Sequence, residues 1–219
     1  GLGDVYKRQS NENVRHFYPY AIGSSNELES LATHAAGLRM KVDVEHGYWF
    51  SSSNRELAGV IGMEVPLTAR VDDKQSETNL LNAVGITTIF NSFGTGFRLW
   101  GNRSSNFPTV THISNFEVAS RTGDIIDESI RQAELQFMDL PVDKALVDSF
   151  IETIDTFMRS QKSIVGYSVG LDYDEDLVNE FSQGHIPLVY DYTPKLPGER
   201  VTNRSVMTRK YLANLVSQR

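Results

Sequence analysis

His46 follows Asp43 and Glu45 in the stretch DVEHGYWFSSSNRE, and an imidazole beside carboxylates is raw material for general acid–base catalysis. Ser51, Ser52 and Ser53 come next and supply hydroxyls that a base could activate, but no G-x-S-x-G elbow surrounds them. The five histidines, His16, His34, His46, His112 and His185, include no H-E-x-x-H helix pattern. His46 is therefore read as a loop residue packed against Tyr48 or Trp49. Asp172, Asp174 and Asp176 have calcium-loop spacing, yet the sixth position of such a loop would be Leu177 instead of glycine and the twelfth Gln183 instead of glutamate. GTGFRLWG lacks the G-K-[ST] ending of a phosphate loop. No catalytic, cofactor-binding or metal-ligating residue is assigned.

Phe97, Arg98, Trp100 and Arg103 form an aromatic–basic cluster that could stack on bases and contact phosphates. The acidic balance of the chain argues against that use, since nonspecific nucleic-acid affinity rests on positive charge. The preferred reading is a strand with Trp100 buried and its arginines in internal ion pairs.

These residues must be positioned by alternating helix and strand signals, which argue for α/β or α+β layers. Leu28, Leu31, Ala35, Leu38 and Val42 recur at helical spacing over 27–42. Ser76 is a possible N-cap for a short helix that stops at Gly85, before the β-branched strand ITTIF (86–90). FRLWG reads as another short strand, and 111–122 as an extended segment ending in a turn. Helical stripes follow over 124–138 and 143–158, with Pro141 suited to the first turn of the second. IVGYSVGLDY and HIPLVYDYTP read as strands flanking a short helix, EDLVNEFSQG.

The 219 residues hold no cysteine, which removes disulfides and thiolate metal sites, and no apolar run approaches the roughly 20 residues that cross a bilayer. Residues 1–9, GLGDVYKRQ, lack the apolar centre of a signal peptide. They reverse-translate into one frame of a transposon adapter used for sequencing libraries. They are read as an artefact, with native protein expected from about Ser10, inside a longer gene. The chain has 21 basic and 28 acidic residues, whereas 200–219 carries Arg200, Arg204, Arg209, Lys210 and Arg219 with no acid. With Asp4, Lys7 and Arg8 set aside, a tail of +5 follows a body of −13. Such a tail suits docking on another copy of the same surface, and equally folding back on its own body.

Five segments then occur in a familiar order: DVEHGYWFSSSNRELAGVIGMEVPL, NLLNAVGITTI, GFRLWGNR, ASRTGDIIDESI and YDYTPKLPGER. Together they resemble the tail sheath proteins of contractile phages, from about residue 16 to Tyr211. Where the family commonly has W-S-P-S-N, this chain has Phe50-Ser51-Ser52-Ser53-Asn54, without the proline. The residues that match family motifs are Trp49, Asn54, Arg98, Trp100, Gly101, Arg103, Arg121, Asp191, Tyr192 and Pro194.

The resemblance implies a structural protein and not an enzyme. It implies the end of a subtilisin-like α/β sheath domain over 10–96, without protease function. An α+β C-terminal sheath domain would follow over 97–219, with an extended arm at 200–219. Arg200, Arg204, Arg209, Lys210 and Tyr211 are the arm's candidate inter-subunit residues. The implied partners are further sheath subunits in a helical polymer, the tail tube protein, the baseplate and the tail terminator, with no nucleic acid and no direct membrane insertion. The implied location is the virion tail sheath, assembled in the host bacterial cytoplasm. A phage-derived bacteriocin or contractile secretion device is the related alternative, and a serine hydrolase the alternative of another class.

Overall fold

The computed structural model describes residues 11–91, 94–173 and 176–215; the expectation for residues 1–9 lies outside them. In chain order the elements are β1 (His16–Phe17), β2 (Ala21–Gly23), β3 (Leu28–Glu29), α1 (Leu31–Glu45), β4 (Arg55–Glu56), β5 (Val60–Met63) and α2 (Glu77–Ala83). They continue with β6 (Ile86–Phe90), β7 (Arg98–Trp100), α3 (Glu117–Glu134), α4 (Lys144–Ser160), β8 (Ile164–Leu171), α5 (Leu177–Ser182) and β9 (Leu188–Pro194). The architecture is mixed helix and sheet. One sheet has the order β1-β6-β7-β4, a second β3-β2-β5, and among the described residues β8 pairs only with β9. β1 runs parallel to β6, and every other pair is antiparallel.

α1 is built by the expected stripe, since Leu31, Ala35, Leu38 and Val42 are its buried residues. It starts four residues later than its periodicity suggests, because Leu28 and Glu29 pair with β2 as a strand. The stripe packs on Leu57, Val60, Ile89 and Leu99, forming the core of the first half. Ser76 and Gly85 bound α2 as expected, Gly85 with φ +78°.

The register of β7 reverses one expectation. Leu99 is fully buried and Trp100 only half-buried, because alternate strand residues face opposite sides and Leu99 takes the core side. Trp100 instead stacks on Phe90 across the strand pair, centroids 4.4 Å apart. β7 belongs to the sheet of β6 and β4, so that sheet continues across residue 96.

The segment 111–122 is not extended. A single 3-10 turn at Ile113–Asn115 leads into α3, whose buried face is Val118, Ala119, Thr122, Ile126 and Ile130. Gly123 made this stretch look like a turn. It is a helical position where a Cβ would sit 3.1 Å from the Tyr192 hydroxyl, so close approach of β9 explains a residue that otherwise weakens a helix by about 1 kcal/mol. α4 begins after Asp143, whose carboxylate accepts from the Leu146 N–H at 2.7 Å. Pro141 thus lies ahead of that helix and not in its first turn. Ile126, Ile130, Ile154, Met158 and Ile164 make the second core, covered by the inward face of the β8–β9 hairpin.

From 201 to 208 the chain has no secondary structure and every residue is exposed; a 3-10 turn follows at Lys210–Leu215. Among the described residues no strand pairs with 201–208, so this part of the arm implied at 200–219 joins no sheet.

Candidate functional site

The most heavily charged interior lies where the two halves meet. Arg15, just before β1, donates to Glu117 at 2.5 Å, to Thr87 Oγ1 at 3.0 Å and to the Gly101 carbonyl at 2.9 Å. Glu117 opens α3, where a helix N-terminus favours an anion. Its other oxygen is 3.8 Å from Arg39 of α1. Arg39 in turn pairs with Asp43 at 2.7 Å, and Asp43 accepts two hydrogen bonds from Arg121 of α3, at 2.7 and 3.1 Å. The side chains of Arg15, Arg39 and Glu117 are each only 11–12% exposed. Burial pushes the Arg15 guanidinium down from its ordinary value, against the opposing pull of Glu117, and its Nε has no partner among the described residues.

For Asp43, burial alone would raise the carboxyl. The Arg121 hydrogen bond and the charges of Arg39 and Arg121 outweigh it, and the net direction is below 3.8. A carboxyl depressed on folding adds stability above its unfolded value and loses it as the pH falls through its folded one. Asp43→Asn is therefore expected to flatten the acid limb of Tm against pH below about 3.8. Thermal unfolding followed by circular dichroism reads this, and a limb as steep as in the parent protein contradicts it.

The loop after α1 is fastened to this network. Ser51 donates to Asn102, Ser52 to Glu117 at 3.4 Å, and Ser53 Oγ accepts the Gly101 N–H at 3.0 Å. The three serine hydroxyls thus tie the loop to Asn102, Glu117 and the Gly101 N–H. Gly101 has φ +135°, and a Cβ there would lie 2.7 Å from Asn82 Oδ1. Asn54, itself at φ +59°, donates its N–H to the Leu99 carbonyl at 2.7 Å and accepts from Arg98. Arg98 is therefore bound to backbone and amide oxygens and, among the described residues, forms no ion pair. Arg103 does form an ion pair, with Glu199 at 2.7 Å, and lies 3.6 Å over the Phe116 ring. Trp49 packs edge-on against Tyr48. His46 packs against Phe50, centroids 5.4 Å apart, and not against Tyr48 or Trp49.

At its base the hairpin is tied in by Tyr48, whose hydroxyl donates to Ser163 Oγ at 3.0 Å, and by the Lys195 N–H to the Ser163 carbonyl at 2.8 Å. Tyr192 and Tyr190 face the second core, while Asp191 and Thr193 are exposed. Burial first, and then the 2.9 Å bond to Asp127, push the Tyr190 phenol up to about 12. Pro194 is buried opposite Ile164. Among the described residues each hairpin strand has one edge without a partner. The structure thus gathers Asn54, Arg98, Trp100, Gly101 and Arg103 around one loop, puts Arg121 in the charged seam and Asp191, Tyr192 and Pro194 on the hairpin.

Arg200, Arg204, Arg209, Lys210 and Tyr211 are all exposed. Among the described residues none of the four cations forms an ion pair, and Lys210 rests near the Tyr211 ring at 5.8 Å. Among the described residues no cluster of three His, Asp or Glu could hold a metal ion, and no helix is long and apolar enough to cross a membrane. Asp176 caps α5 by accepting from Asn179 N; Asp174 lies outside the described residues. Arg15, Arg39 and Glu117 escaped sequence reasoning. The available signal was the pair of i,i+4 couples, Arg39/Asp43 and Glu117/Arg121, with opposite polarity.

Residues 6–105 match the phage tail sheath protein central domain. The chain is also 43% identical over 221 residues to the tail sheath protein of Burkholderia phage BcepMu, a match covering 97% of the chain and 46% of the relative. The chain belongs to the phage tail sheath family. The sheath protein of Escherichia phage P2 is 30% identical over 186 residues, covering 84% of the chain and again 46% of the relative. This sheath-family chain thus spans about half the length of the relatives it matches. Its fold is similar to the sheath of an extracellular contractile injection system, PVC, in the contracted state, with TM-score 0.78, 18% identity, and 95% and 60% of the two chains covered. It is similar also to the contracted helical sheath of the anti-feeding prophage, with TM-score 0.77, 20% identity, and 92% and 57% covered.

Proposed function

We propose that the protein is a structural subunit of a contractile phage tail sheath, which polymerises helically around a tail tube and shortens to drive that tube through the host envelope for genome ejection. The observation that carries this reading is the 43% identity, sustained over 97% of the chain, to a phage tail sheath protein. The geometry supports it physically. A head-to-tail contact that does not close generates a helical tube and not a ring. Among the described residues the hairpin offers open edges, and the exposed segment 201–208 lies outside any strand or helix and could add to such an edge on a neighbour. Links made of backbone pairing would hold while subunit bodies rotate. A sheath assembled in a metastable extended state would store its energy kinetically and release it at the baseplate.

Residues 10–96 are assigned to the end of a subtilisin-like domain and 97–219 to the C-terminal sheath domain. Tail tube, baseplate and tail terminator are the assigned partners, and the tail of a virion assembled in host cytoplasm is the assigned location. The likeness to the anti-feeding prophage and to an extracellular contractile injection system favours one second reading, the sheath of a phage-derived contractile device without a genome to eject. Negative-stain microscopy of the complete gene product should reveal striated tubes. Discrete subunits at all concentrations would overturn the assignment.

A further inference from the structure

After β9 the chain crosses from the hairpin base to the first half of the protein before the exposed tail begins. The Lys195 N–H is held by the Ser163 carbonyl at 2.8 Å. Among the described residues no hydrogen bond holds Leu196, Pro197 or Gly198, and a Cβ at Gly198 would meet nothing within 4 Å. Glu199 is then caught by two residues. Arg103 donates to it from Nε at 3.1 Å and from Nη2 at 2.7 Å, and Asn102 donates from Nδ2 at 3.4 Å. Beyond it, 201–208 are exposed and outside any helix or strand. Arg103 is itself a fixed post. Its guanidinium lies 3.6 Å over the Phe116 ring and 4.6 Å over the Phe107 ring. Its backbone bridges to Phe116, and the N–H of the fully buried Ser104 donates to the Asn115 carbonyl at 2.8 Å. Asn102 is oriented by Ser51, which donates to its Oδ1. A planar guanidinium held against rings and meeting a carboxylate through two N–H groups fixes direction, as a lysine ammonium does not. The two side chains are only 21% and 29% exposed, so water competes weakly for the pair.

We infer that Arg103 is a positioning residue for the arm: its grip on Glu199 sets the point and direction at which the chain leaves the body, and with them the arm's reach. With the grip closed, the free arm begins at Arg200. With it open, the free chain begins after Lys195 and gains Leu196 to Glu199. Four residues add about 13–14 Å of reach when extended. When flexible they add about 10–12 Å of spread. A strand advances only about 3.4 Å per residue, so slack of that size lets an arm pair with a neighbour in several registers. A longer tether also dilutes the arm around its target. The post stands where the two halves meet, so the arm is anchored to the frame of the subunit and not to the hairpin alone. The consequence for assembly rests on the reading of 200–219 as an inter-subunit arm; the grip itself does not.

The chain has no cysteine, so nitroxide labels can be placed through Val44→Cys and Val201→Cys, at positions 88% and 83% exposed. Pulsed dipolar spectroscopy on the full chain should give a narrow distance distribution. Glu199→Lys should broaden it by about 10 Å. Arg103→Lys keeps the charge but loses the fork and should broaden it nearly as much, whereas Glu199→Gln should broaden it less. Tm should hardly move, because neither core contains Arg103 or Glu199. A distribution as narrow in Glu199→Lys as in the parent, or a parent as broad as Glu199→Lys, overturns the assignment. So does a lowered Tm with unchanged distances, the mark of a pair that only supports the fold. In the complete gene product, Glu199→Lys should give fewer and irregular tubes. Regular tubes with the grip open would overturn its role in register and leave the sheath reading standing. Discrete subunits from the parent protein would remove the sheath reading and leave the grip to stand on the label distances.

Discussion

Glu117→Ala is expected to destabilise the fold by about 3–5 kcal/mol, the typical effect of removing one partner from a buried ion pair. The reason lies in what remains. Among the described residues Arg15 keeps its hydrogen bonds to Thr87 Oγ1 and the Gly101 carbonyl but has no counter-charge, its Nε has no partner to begin with, and Arg39 loses its contact with Glu117. Desolvated charge without compensation is more damaging than the loss of the attraction itself. For a domain of this size each kcal/mol shifts Tm by roughly 2–4 °C, so a fall on the order of 10 °C should accompany it. Urea unfolding should show the midpoint falling with little change in slope. Glu117→Gln keeps the hydrogen-bonding shape and should lose less. Pairing Glu117→Leu with Arg15→Met should recover much of the loss, because an apolar pair leaves no stranded ion. A loss below about 1 kcal/mol for the alanine protein, typical of an exposed pair, would contradict the burial argument.

Ending the chain after Glu199 is the second large effect, and it should separate folding from assembly. Residues 201–208 are exposed and unpaired, so their removal takes nothing from either core. The Arg103–Glu199 ion pair survives the cut. Thermal unfolding should be unchanged, whereas tubes should disappear. Each exposed arm–body charge pair contributes only about 0.2–1 kcal/mol. The loss would therefore reflect many copies of a weak electrostatic contact plus backbone pairing, and not one strong bond. Normal tubes from the shortened protein would remove 200–215 from any role in assembly.

What was legible beforehand followed periodicity. The α1 stripe, the ITTIF strand and the hairpin strands each have a pattern that only one element satisfies, and all were found. The failures were at places where tertiary contact overrides local preference. α3 contains Thr122 and Gly123, weak helix residues tolerated because Ile126 and Ile130 fill a core and Gly123 admits Tyr192. Trp100 looked like the anchor of its strand because it is the larger residue. A three-residue strand gives too little alternation to choose a face, and pairing of Leu99 between β4 and β6 decided it. The candidate surface was partly legible. Family-like motifs pointed to Asn54, Gly101 and Arg103, which do converge. Arg15 and Glu117 are 102 positions apart, and no local pattern joins them.

The charged seam between α1 and α3 has an arrangement worth following further. Arg39 and Asp43 stand one turn apart on α1, Glu117 and Arg121 one turn apart on α3, and the pairs meet in the same order. Slide α3 by one turn in one direction and Arg121 comes opposite Arg39. Slide it the other way and Glu117 faces Asp43. Either displacement exchanges attraction for like-charge repulsion within a half-buried gap. An apolar seam would have neighbouring minima one turn away; this one has a single permitted alignment. The two halves of the protein are keyed against shear, and a push on one is delivered to the other without slippage.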